Sequence, residues 1–325
     1  MNILIVGGAG YVGSHTCKQL FKEGYTPIVY DNLSRGSAEL VKWGVLEIGD
    51  LSDERRLSEV IAKYNPVAVM HFAAYAYVAE SMQCPSKYYG NNVVGSYTLF
   101  ELLRKNGILN VIFSSSCATY GIAQESRITE EHRQLPINPY GRSKLMVEQL
   151  LQDFDDAYGM KSITLRYFNA GGADPDLDIG EIHNPEPHVI PSLIRAALDA
   201  QAQFTVNGTD FETKDGTCVR DYVHVSDLAR AHTLALKHLI ANQSSDIFNL
   251  GNGEGFSVAE LIETVQEITG KSIKIRYGER RHGDPGILVC DPTKAQKELL
   301  WTTSISDIKT VVNTAYQWHL KRHIN

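Results

Sequence analysis

Short apolar runs alternate with longer amphipathic stretches through the first two thirds of the chain. Residues 3–6 form a continuous apolar run, typical of a parallel strand covered on both faces, and a helical pattern follows from about Tyr11 to Glu23. Similar short runs, each followed by polar or glycine-rich residues, occur at 27–30, 67–70, 111–113 and 162–166. This order predicts an α/β fold with a Rossmann-like, doubly wound parallel sheet.

The character of the sequence changes after Asn169. Residues 170–190 hold several Gly, Pro and Asp residues and predict a loop, after which short helices and strands follow. Ser257 and Glu260 have the spacing of a capping box, which predicts a helix that runs to about Thr269. We therefore expect a sheet domain at 1–170 and a smaller C-terminal α/β lobe at 171–325, with an approximate boundary and some exchange of chain between them.

Composition narrows the class of protein. The net charge of −7 argues against a nucleic-acid partner, and no apolar run is long enough to cross a membrane. The first residues lack a basic segment and lead directly into Gly7, so we expect a buried first strand and not a signal peptide. These features predict a cytoplasmic protein.

Cysteine and histidine usage indicates no metal site. The five cysteines are widely spaced and include no C-x-x-C pair, so we expect free thiols in a reducing compartment. His183 and His188 lie five residues apart in a proline-rich loop. A metal there would need further ligands, and none is evident, so we expect no metal.

A glycine-rich turn lies directly after the first strand. Gly7, Gly10 and Gly13 have the G-x-x-G-x-x-G spacing that lets backbone amides and a helix N-terminus approach a pyrophosphate. Asp31 ends the second strand, 18 residues beyond Gly13. Its carboxylate can bind the adenosine ribose hydroxyls of NAD and would repel the 2′-phosphate of NADP. The motif predicts an NAD site, and the alternative is a plain turn without a ligand.

Three further segments of the chain contain candidates for the same site. Asp50 follows the third strand and either accepts a hydrogen bond from the adenine amino group or is a surface acid. In residues 72–74, Phe72 is followed by the small Ala73 and Ala74, at a place where the backbone must pass close to the cofactor. Asn91 either contacts the cofactor or caps a helix.

Tyr140 and Lys144 are the candidate catalytic pair. Their spacing places them on one face of a helix that begins after Pro139 and runs to about Tyr158. A phenol has a pKa of about 10, and a nearby ammonium together with a positive nicotinamide ring would lower it. Ser116 follows a buried strand, at the carboxyl end of the sheet, and can bridge Tyr140 and a substrate hydroxyl. The alternative for the Tyr-Lys pair is a solvated helix face.

Several longer strings identify a family. GGAGYVGSHT at 7–16, SSSCATYG at 114–121, NPYGRSKLMVEQ at 138–149 and LRYFNAGGA at 165–173 resemble the UDP-glucose 4-epimerases of the extended short-chain dehydrogenase/reductase family. VRDYVHVSDLA at 219–229, NLGNGEGFSV at 249–258 and RRHGDP at 280–285 extend the resemblance over nearly the whole chain.

The resemblance implies a reaction. The family interconverts UDP-glucose and UDP-galactose with NAD bound throughout: Tyr140 takes the proton of the sugar 4-hydroxyl while hydride leaves C4, and hydride later returns to the other face of the keto sugar. The catalytic residues would be Ser116, Tyr140 and Lys144. The cofactor would contact Gly7, Gly10, Tyr11, Val12, Gly13, Asp31, Asn32, Ser34, Asp50, Leu51, Phe72, Ala73, Ala74, Asn91, Ser114, Tyr140, Lys144 and Phe168.

The resemblance also assigns a UDP-sugar site. Arg220 and Arg281 would clamp the pyrophosphate, for which a planar guanidinium is suited; the alternative for Arg220 is an ion pair with Asp221. Asn169 would bind the diphosphate or sugar, and Asp284 the uridine ribose. The full predicted substrate set is Ser116, Tyr140, Asn169, His188, Val189, Arg220, Arg281, Asp284 and Leu288.

Two positions depart from the family pattern. Some members carry a lysine that reaches the cofactor where this chain has Ala76. Leu288 stands where members restricted to glucose and galactose have tyrosine, and a smaller residue there accompanies acceptance of N-acetylated sugars. We therefore hypothesise extra room in the pocket and slow turnover of UDP-N-acetylglucosamine.

Rival functions remain open at this point. A pentose epimerase acting on UDP-xylose and UDP-arabinose shares almost every motif, and a non-catalytic NAD-binding protein is a less favoured alternative. A dehydratase or decarboxylase would need an acid beside Ser116, whereas Cys117 and Ala118 follow it. The family commonly forms homodimers, and the helices at about 92–105 and 140–157 would supply the interface.

Overall fold

The computed structural model describes residues 1–123, 125–281 and 283–324. Its strands are β1 (Asn2–Val6), β2 (Thr26–Asp31), β3 (Val45–Ile48), β4 (Ala68–His71), β5 (Asn110–Ser116), β6 (Lys161–Tyr167), β7 (Asn169–Gly171), β8 (Phe204–Asn207), β9 (Val219–His224), β10 (Asp246–Leu250), β11 (Gly255–Ser257), β12 (Ile275–Gly278) and β13 (Ile287–Leu288). Its α-helices are α1 (Tyr11–Lys22), α2 (Glu54–Tyr64), α3 (Val78–Gln83), α4 (Pro85–Tyr88), α5 (Gly95–Lys105), α6 (Pro139–Tyr158), α7 (Val189–Leu198), α8 (Val225–Asn242), α9 (Val258–Thr269), α10 (Thr293–Glu298) and α11 (Ile308–Ile324). A π-helical turn at Tyr89–Val94 joins α4 to α5.

Seven parallel strands form the large sheet, in the order β3-β2-β1-β4-β5-β6-β10. Successive side chains of β1 point to opposite faces. Ile3 and Ile5 pack with α1 and α8, whereas Leu4 and Val6 pack with α2, α5 and α6. Helices therefore cover both faces, and the predicted Rossmann-like fold is confirmed.

The strand order reverses between β1 and β4. The connections from β1 lead to β2 and β3 on one side, and those from β4 lead to β5 and β6 on the other. A crevice opens at such a point, outside the carboxyl ends of the strands, and ligands of doubly wound folds bind there. The topology thus fixes where the site must lie.

The chain returns to the large sheet after residue 170. β10 extends the sheet by pairing with β6, and α8 packs against α1 in the same apolar cluster. The division into domains at 1–170 and 171–325 remains a proposal. It must allow for β10 and α8, which lie in the second range but pack with the sheet of the first.

The remaining C-terminal elements surround β9. β7 and β13 pair with it in parallel, and β11 pairs with it antiparallel. Helices α7, α9 and α11 bury a separate apolar cluster that includes Leu193, Leu261 and Val311. The predicted capping box is confirmed, because the Ser257 hydroxyl accepts from the Glu260 amide at 3.1 Å and the Ser257 amide donates to the Glu260 carboxylate at 2.8 Å.

The predicted loop at 170–190 begins with β7 and is anchored to α1. The ammonium of Lys18 lies 2.5, 2.8 and 2.9 Å from carboxylate oxygens of Asp174, Asp176 and Asp178. These ion pairs hold the first half of the loop against α1. Among the described residues, no helix combines the length and apolar character needed to span a membrane.

Candidate active site

One large cavity, of about 520 Å³, opens at the carboxyl ends of the sheet strands. Most of the predicted site residues line it: Gly7, Gly10, Tyr11, Val12, Gly13, Asp31, Asn32, Ser34, Leu51, Phe72, Ala73, Ala74, Asn91, Ser116, Tyr140, Phe168, Asn169, His188, Val189, Arg220, Arg281, Asp284 and Leu288. Asp50, Ser114 and Lys144 are not among the lining residues. Residues from both ends of the chain therefore converge on one pocket.

The glycine-rich turn has the close packing that a dinucleotide site requires. A Cβ on Gly7, whose φ is +83°, would lie 2.5 Å from the Ala73 amide nitrogen, and one on Gly13 would lie 2.5 Å from the Gly7 carbonyl oxygen. Gly10 is the N-cap of α1 and offers no side chain to the first-turn amides. Those amides therefore stay available to a phosphate at the positive end of the helix, and the turn fits NAD.

Asp31 is buried at the end of β2, beside the turn. Its carboxylate accepts from the amides of Ala9 at 3.0 Å and Leu33 at 2.8 Å. Burial raises its pKa, and these two hydrogen bonds oppose the rise. A carboxylate has about four acceptor positions, so two amides leave capacity for ribose hydroxyls.

Asp50 takes part in a local network instead of lining the pocket. It accepts from Asn32 at 2.5 Å and from the amide and hydroxyl of Ser52 at 2.9 and 2.6 Å. The bonds from Ser52 lower its pKa. Asn91 lines the cavity and donates to the side chain of Asn92 at 2.9 Å.

Tyr140 and Lys144 occupy the first turns of α6, whose N-cap is Asn138. The Asn138 side chain accepts from the Gly141 amide at 2.8 Å, which fixes the start of the helix. Lys144 is almost fully buried, and its Nζ donates to the Ser114 carbonyl at 2.7 Å and lies 6.0 Å from the centre of the Tyr140 ring. Lys144 therefore approaches the tyrosine from behind the pocket wall.

Burial opposes charge on both members of the pair. It raises the pKa of Tyr140, with Tyr167 adding to the rise and a hydrogen bond with Ser116 opposing it. It lowers the pKa of Lys144 to about 7, and Glu148 opposes that change. Burial therefore outweighs the contributions of neighbouring side chains to the tyrosine pKa, and phenolate would need a cofactor charge in addition.

The three serines at the end of β5 have different partners. Ser116 borders the cavity together with Tyr140, and its hydroxyl accepts from the Ala118 amide at 3.1 Å; its role as a bridge between Tyr140 and a substrate hydroxyl stays a prediction. The hydroxyl of Ser114 lies 3.1 Å from Nε2 of His232, and Ser115 donates to Glu148. The backbone carbonyl of Ser114, and not its side chain, accepts the hydrogen bond from Lys144.

A buried ion pair lies one turn beyond Lys144 and was not predicted. Arg166 and Glu148 are 2.6 Å apart, and their side chains are only 3% and 5% exposed. Arg166 also donates to the Tyr120 hydroxyl at 2.9 Å. The pair spans α6 and β6, so no local sequence pattern could reveal it.

Arg220 pairs with Asp284, so the alternative pairing with Asp221 is wrong. Arg220 also donates to the Pro285 carbonyl at 2.7 Å. Asp221 is fully buried, and burial raises its pKa to about 6. Its carboxylate accepts from the backbone amides of Asn252, Gly253 and Cys290, at 2.7, 2.9 and 3.1 Å.

Sequence reasoning missed Arg35 as a lining residue of the cavity, whereas Leu288 and His188 were predicted. Arg35, one residue beyond the predicted Ser34, pairs with Glu80 at 3.1 Å and lies 4.8 Å from the centre of the Tyr77 ring. Leu288 is buried with Phe168 in a small apolar cluster at the cavity wall. His188 also lines the cavity, and its Nδ1 lies 2.5 Å from Glu181.

Comparison with known proteins places the chain in a family. Residues 3–251 match the model of the NAD dependent epimerase/dehydratase family. The chain belongs to this family of NAD-dependent enzymes, within which the relatives below are isomerases.

Its similarity to UDP-glucose 4-epimerases extends over nearly the full length. It is 49% identical over 322 residues to the UDP-glucose 4-epimerase of Rhizobium meliloti (strain 1021), with 99% of this chain and 98% of the relative covered. The crystal structure of the Brucella ovis UDP-glucose 4-epimerase in complex with NAD has a TM-score of 0.94 and 50% identity, with 97% of each chain covered. The UDP-Glc/GlcNAc 4-epimerase of Campylobacter jejuni has a TM-score of 0.85 and 39% identity, with 98% of this chain and 99% of that one covered.

Proposed function

We propose that this protein is a UDP-glucose 4-epimerase that interconverts UDP-galactose and UDP-glucose with tightly bound NAD. The observation that carries the proposal is the placement of Ser116 and Tyr140 on the wall of the cavity that the glycine-rich turn also lines, with Lys144 Nζ 6.0 Å from the centre of the Tyr140 ring. Cys117 and Ala118 follow Ser116, so no carboxylate stands there to eliminate water or steer decarboxylation.

Side chains of the protein transfer the proton of the sugar 4-hydroxyl in this reaction. NAD, when bound, supplies the oxidant that accepts a hydride from C4 of the sugar and gives it back. Tyr140 takes the proton of the 4-hydroxyl and later returns it, while Ser116 orients that hydroxyl. The Lys144 ammonium stabilises phenolate from behind the wall, because opposite charges compensate in a site where burial disfavours each one alone.

The remaining predicted residues hold the two nucleotides. The first-turn amides of α1 and the carboxylate of Asp31 bind the cofactor, and Arg220 and Arg281 face the substrate pyrophosphate. The Arg220–Asp284 ion pair supports this role, because it fixes the guanidinium at the cavity wall. Asn169 donates to the Asp221 carbonyl at 3.0 Å, which holds its amide beside the same wall.

UDP-N-acetylglucosamine is the second candidate substrate. Leu288 lines the cavity with a side chain smaller than tyrosine, and the Campylobacter jejuni neighbour is named as an enzyme of both UDP-Glc and UDP-GlcNAc. We expect Leu288→Tyr to abolish turnover of the N-acetylated substrate and to spare that of UDP-galactose. Absence of any such turnover in the unaltered protein would remove this candidate.

The proposal includes a cytoplasmic homodimer. All five cysteines are free thiols, which is typical of a reducing compartment. Val94, Tyr97 and Met146 are exposed apolar side chains on or next to α5 and α6, and such residues favour burial against a second copy. A monomeric mass at micromolar concentration would contradict the dimer.

The direct test is conversion of UDP-galactose to UDP-glucose without added NAD. Product formed by the purified protein supports the epimerase, since the cofactor must then travel with the protein. Bound NAD without product would favour a non-catalytic NAD-binding protein. UDP-xylose and UDP-arabinose in the same assay test the pentose alternative.

A further inference from the structure

Four side chains converge in the loop that precedes α7. Glu181, His183, Glu186 and His188 form two Glu-x-His pairs in the sequence. Their ligand-type atoms all lie within 4.8 Å of one another. The spacing within each pair is that of an extended segment, which places residues i and i+2 on one side. The loop then folds back so that the two pairs face each other.

The distances between these atoms, 2.5–3.7 Å, bracket the separation expected among the ligands of a small metal ion. His183 Nδ1 lies 3.0 Å from Glu181 and 3.7 Å from Glu186, and His188 Nδ1 lies 2.5 and 3.3 Å from the same carboxylates. A tetrahedral ion with bonds of about 2.1 Å separates its ligand atoms by about 3.4 Å.

The orientation of the imidazoles also favours a shared central partner. Both Nδ1 atoms are buried, and within the described part of the chain neither makes a hydrogen bond of acceptable angle. The carboxylate oxygens are close but do not lie along the N–H directions. Lone pairs that converge on one point are expected for metal ligands, whereas ion pairs align each N–H with an oxygen.

Glu181 and Glu186 need balancing positive charge at this position. With neutral imidazoles, Glu181 and Glu186 would place two negative charges beside a cavity that is proposed to hold diphosphates. Two protons or one divalent ion would neutralise the cluster equally well. Two nitrogen and two carboxylate ligands suit Zn²⁺ and similar transition metals better than Mg²⁺ or Ca²⁺.

We propose that Glu181, His183, Glu186 and His188 bind one Zn²⁺-type ion at the edge of the active-site cavity. The ion fixes the loop at 181–188 and with it the cavity wall formed by His188 and Val189. The imidazoles bind in their neutral form, so any protons they carry are released on binding.

The nearby aspartate cluster provides a matched control. Asp174, Asp176 and Asp178 also bring three carboxylates together, but the Lys18 ammonium already lies among them. The positive charge of Lys18 would repel a second cation at that position. Asp176→Asn should therefore leave Zn²⁺ binding unchanged.

Titration of the chelator-treated full chain with ZnCl₂, followed by calorimetry, tests the proposal. We expect one ion per chain with a Kd of about 1 µM or tighter. Glu186→Gln and His183→Ala should each weaken binding by about 100-fold, and X-ray absorption should show Zn–N bonds of about 2.0–2.1 Å. Circular dichroism confirms that the variants fold. No saturable binding, or equal binding by all variants, would overturn the site and leave protonated ion pairs in its place.

Discussion

Replacing Lys144 with methionine should make the protein more stable at neutral pH while removing a proposed catalytic group. Burial lowers the pKa of this lysine from 10.5 to about 7, and each unit corresponds to about 1.4 kcal/mol. The lysine therefore lowers the free energy of unfolding at pH 7 by roughly 4 kcal/mol. Methionine has a similar shape but loses the hydrogen bond to the Ser114 carbonyl, which costs about 1–3 kcal/mol. We therefore expect Lys144→Met to raise the free energy of unfolding by about 1–3 kcal/mol at pH 7.

The stability difference between Lys144→Met and the unaltered protein should depend on pH. A lysine with a depressed folded-state pKa destabilises the fold increasingly as the pH falls from its unfolded pKa of about 10.4 to the folded value. At pH 9.5 the cost is only about 1.4 kcal/mol, so the advantage of Lys144→Met should vanish or reverse. The exposed Lys309, which pairs with Glu267, provides the control: Lys309→Met should change stability by less than about 0.5 kcal/mol at both pH values.

The assay is urea unfolding of the three proteins at pH 7 and pH 9.5. NAD content must be measured and equalised, because a ligand bound to the native state adds to the free energy of unfolding. A Lys144→Met protein that is less stable than the unaltered one at pH 7 would refute the reasoning. A stability difference that does not shrink at the higher pH would refute it as well.

Two further substitutions test the turn and the buried ion pair. Gly13→Ala should lower the free energy of unfolding by about 1–3 kcal/mol and remove most of the co-purified NAD, because the new Cβ would lie 2.5 Å from the Gly7 carbonyl oxygen. Gly90 has open space around it. The control variant Gly90→Ala should therefore match the unaltered protein in unfolding and in NAD content. Glu148→Gln should lose about 3–5 kcal/mol in urea unfolding, because it leaves the Arg166 charge buried without its partner. A loss under about 1 kcal/mol for Glu148→Gln, or normal NAD content for Gly13→Ala, would contradict these accounts.

Local signals were sufficient for the sheet and the cofactor turn. Each apolar run and the glycine spacing involve residues that are close together in the sequence. These patterns placed β1, α1 and Asp31 correctly. The helix of Tyr140 was equally legible, because Asn138 and Pro139 mark its start and the i, i+4 spacing sets its face.

Contacts between distant segments were not accessible in the same way. Arg220 has an acid next to it in the sequence, yet strand geometry turns Asp221 to the backbone amides of other segments and leaves Asp284 as the partner. Sequence reasoning noticed His183 and His188 but no further ligands, and only the fold of the loop brings Glu181 and Glu186 beside them. Such pairings depend on topology, which a residue's neighbours in sequence do not encode.

Tyr140 is the group proposed to move the substrate proton, and Tyr140→Phe tests this role directly. Phenylalanine preserves the ring and removes only the hydroxyl, so NAD content and urea unfolding should remain unchanged. With UDP-galactose as substrate we predict that kcat falls by about 10²–10⁴-fold, while Tyr158→Phe, at the exposed end of the same helix, keeps full activity. A Tyr140→Phe enzyme with kcat within about threefold of the unaltered protein would contradict the central claim.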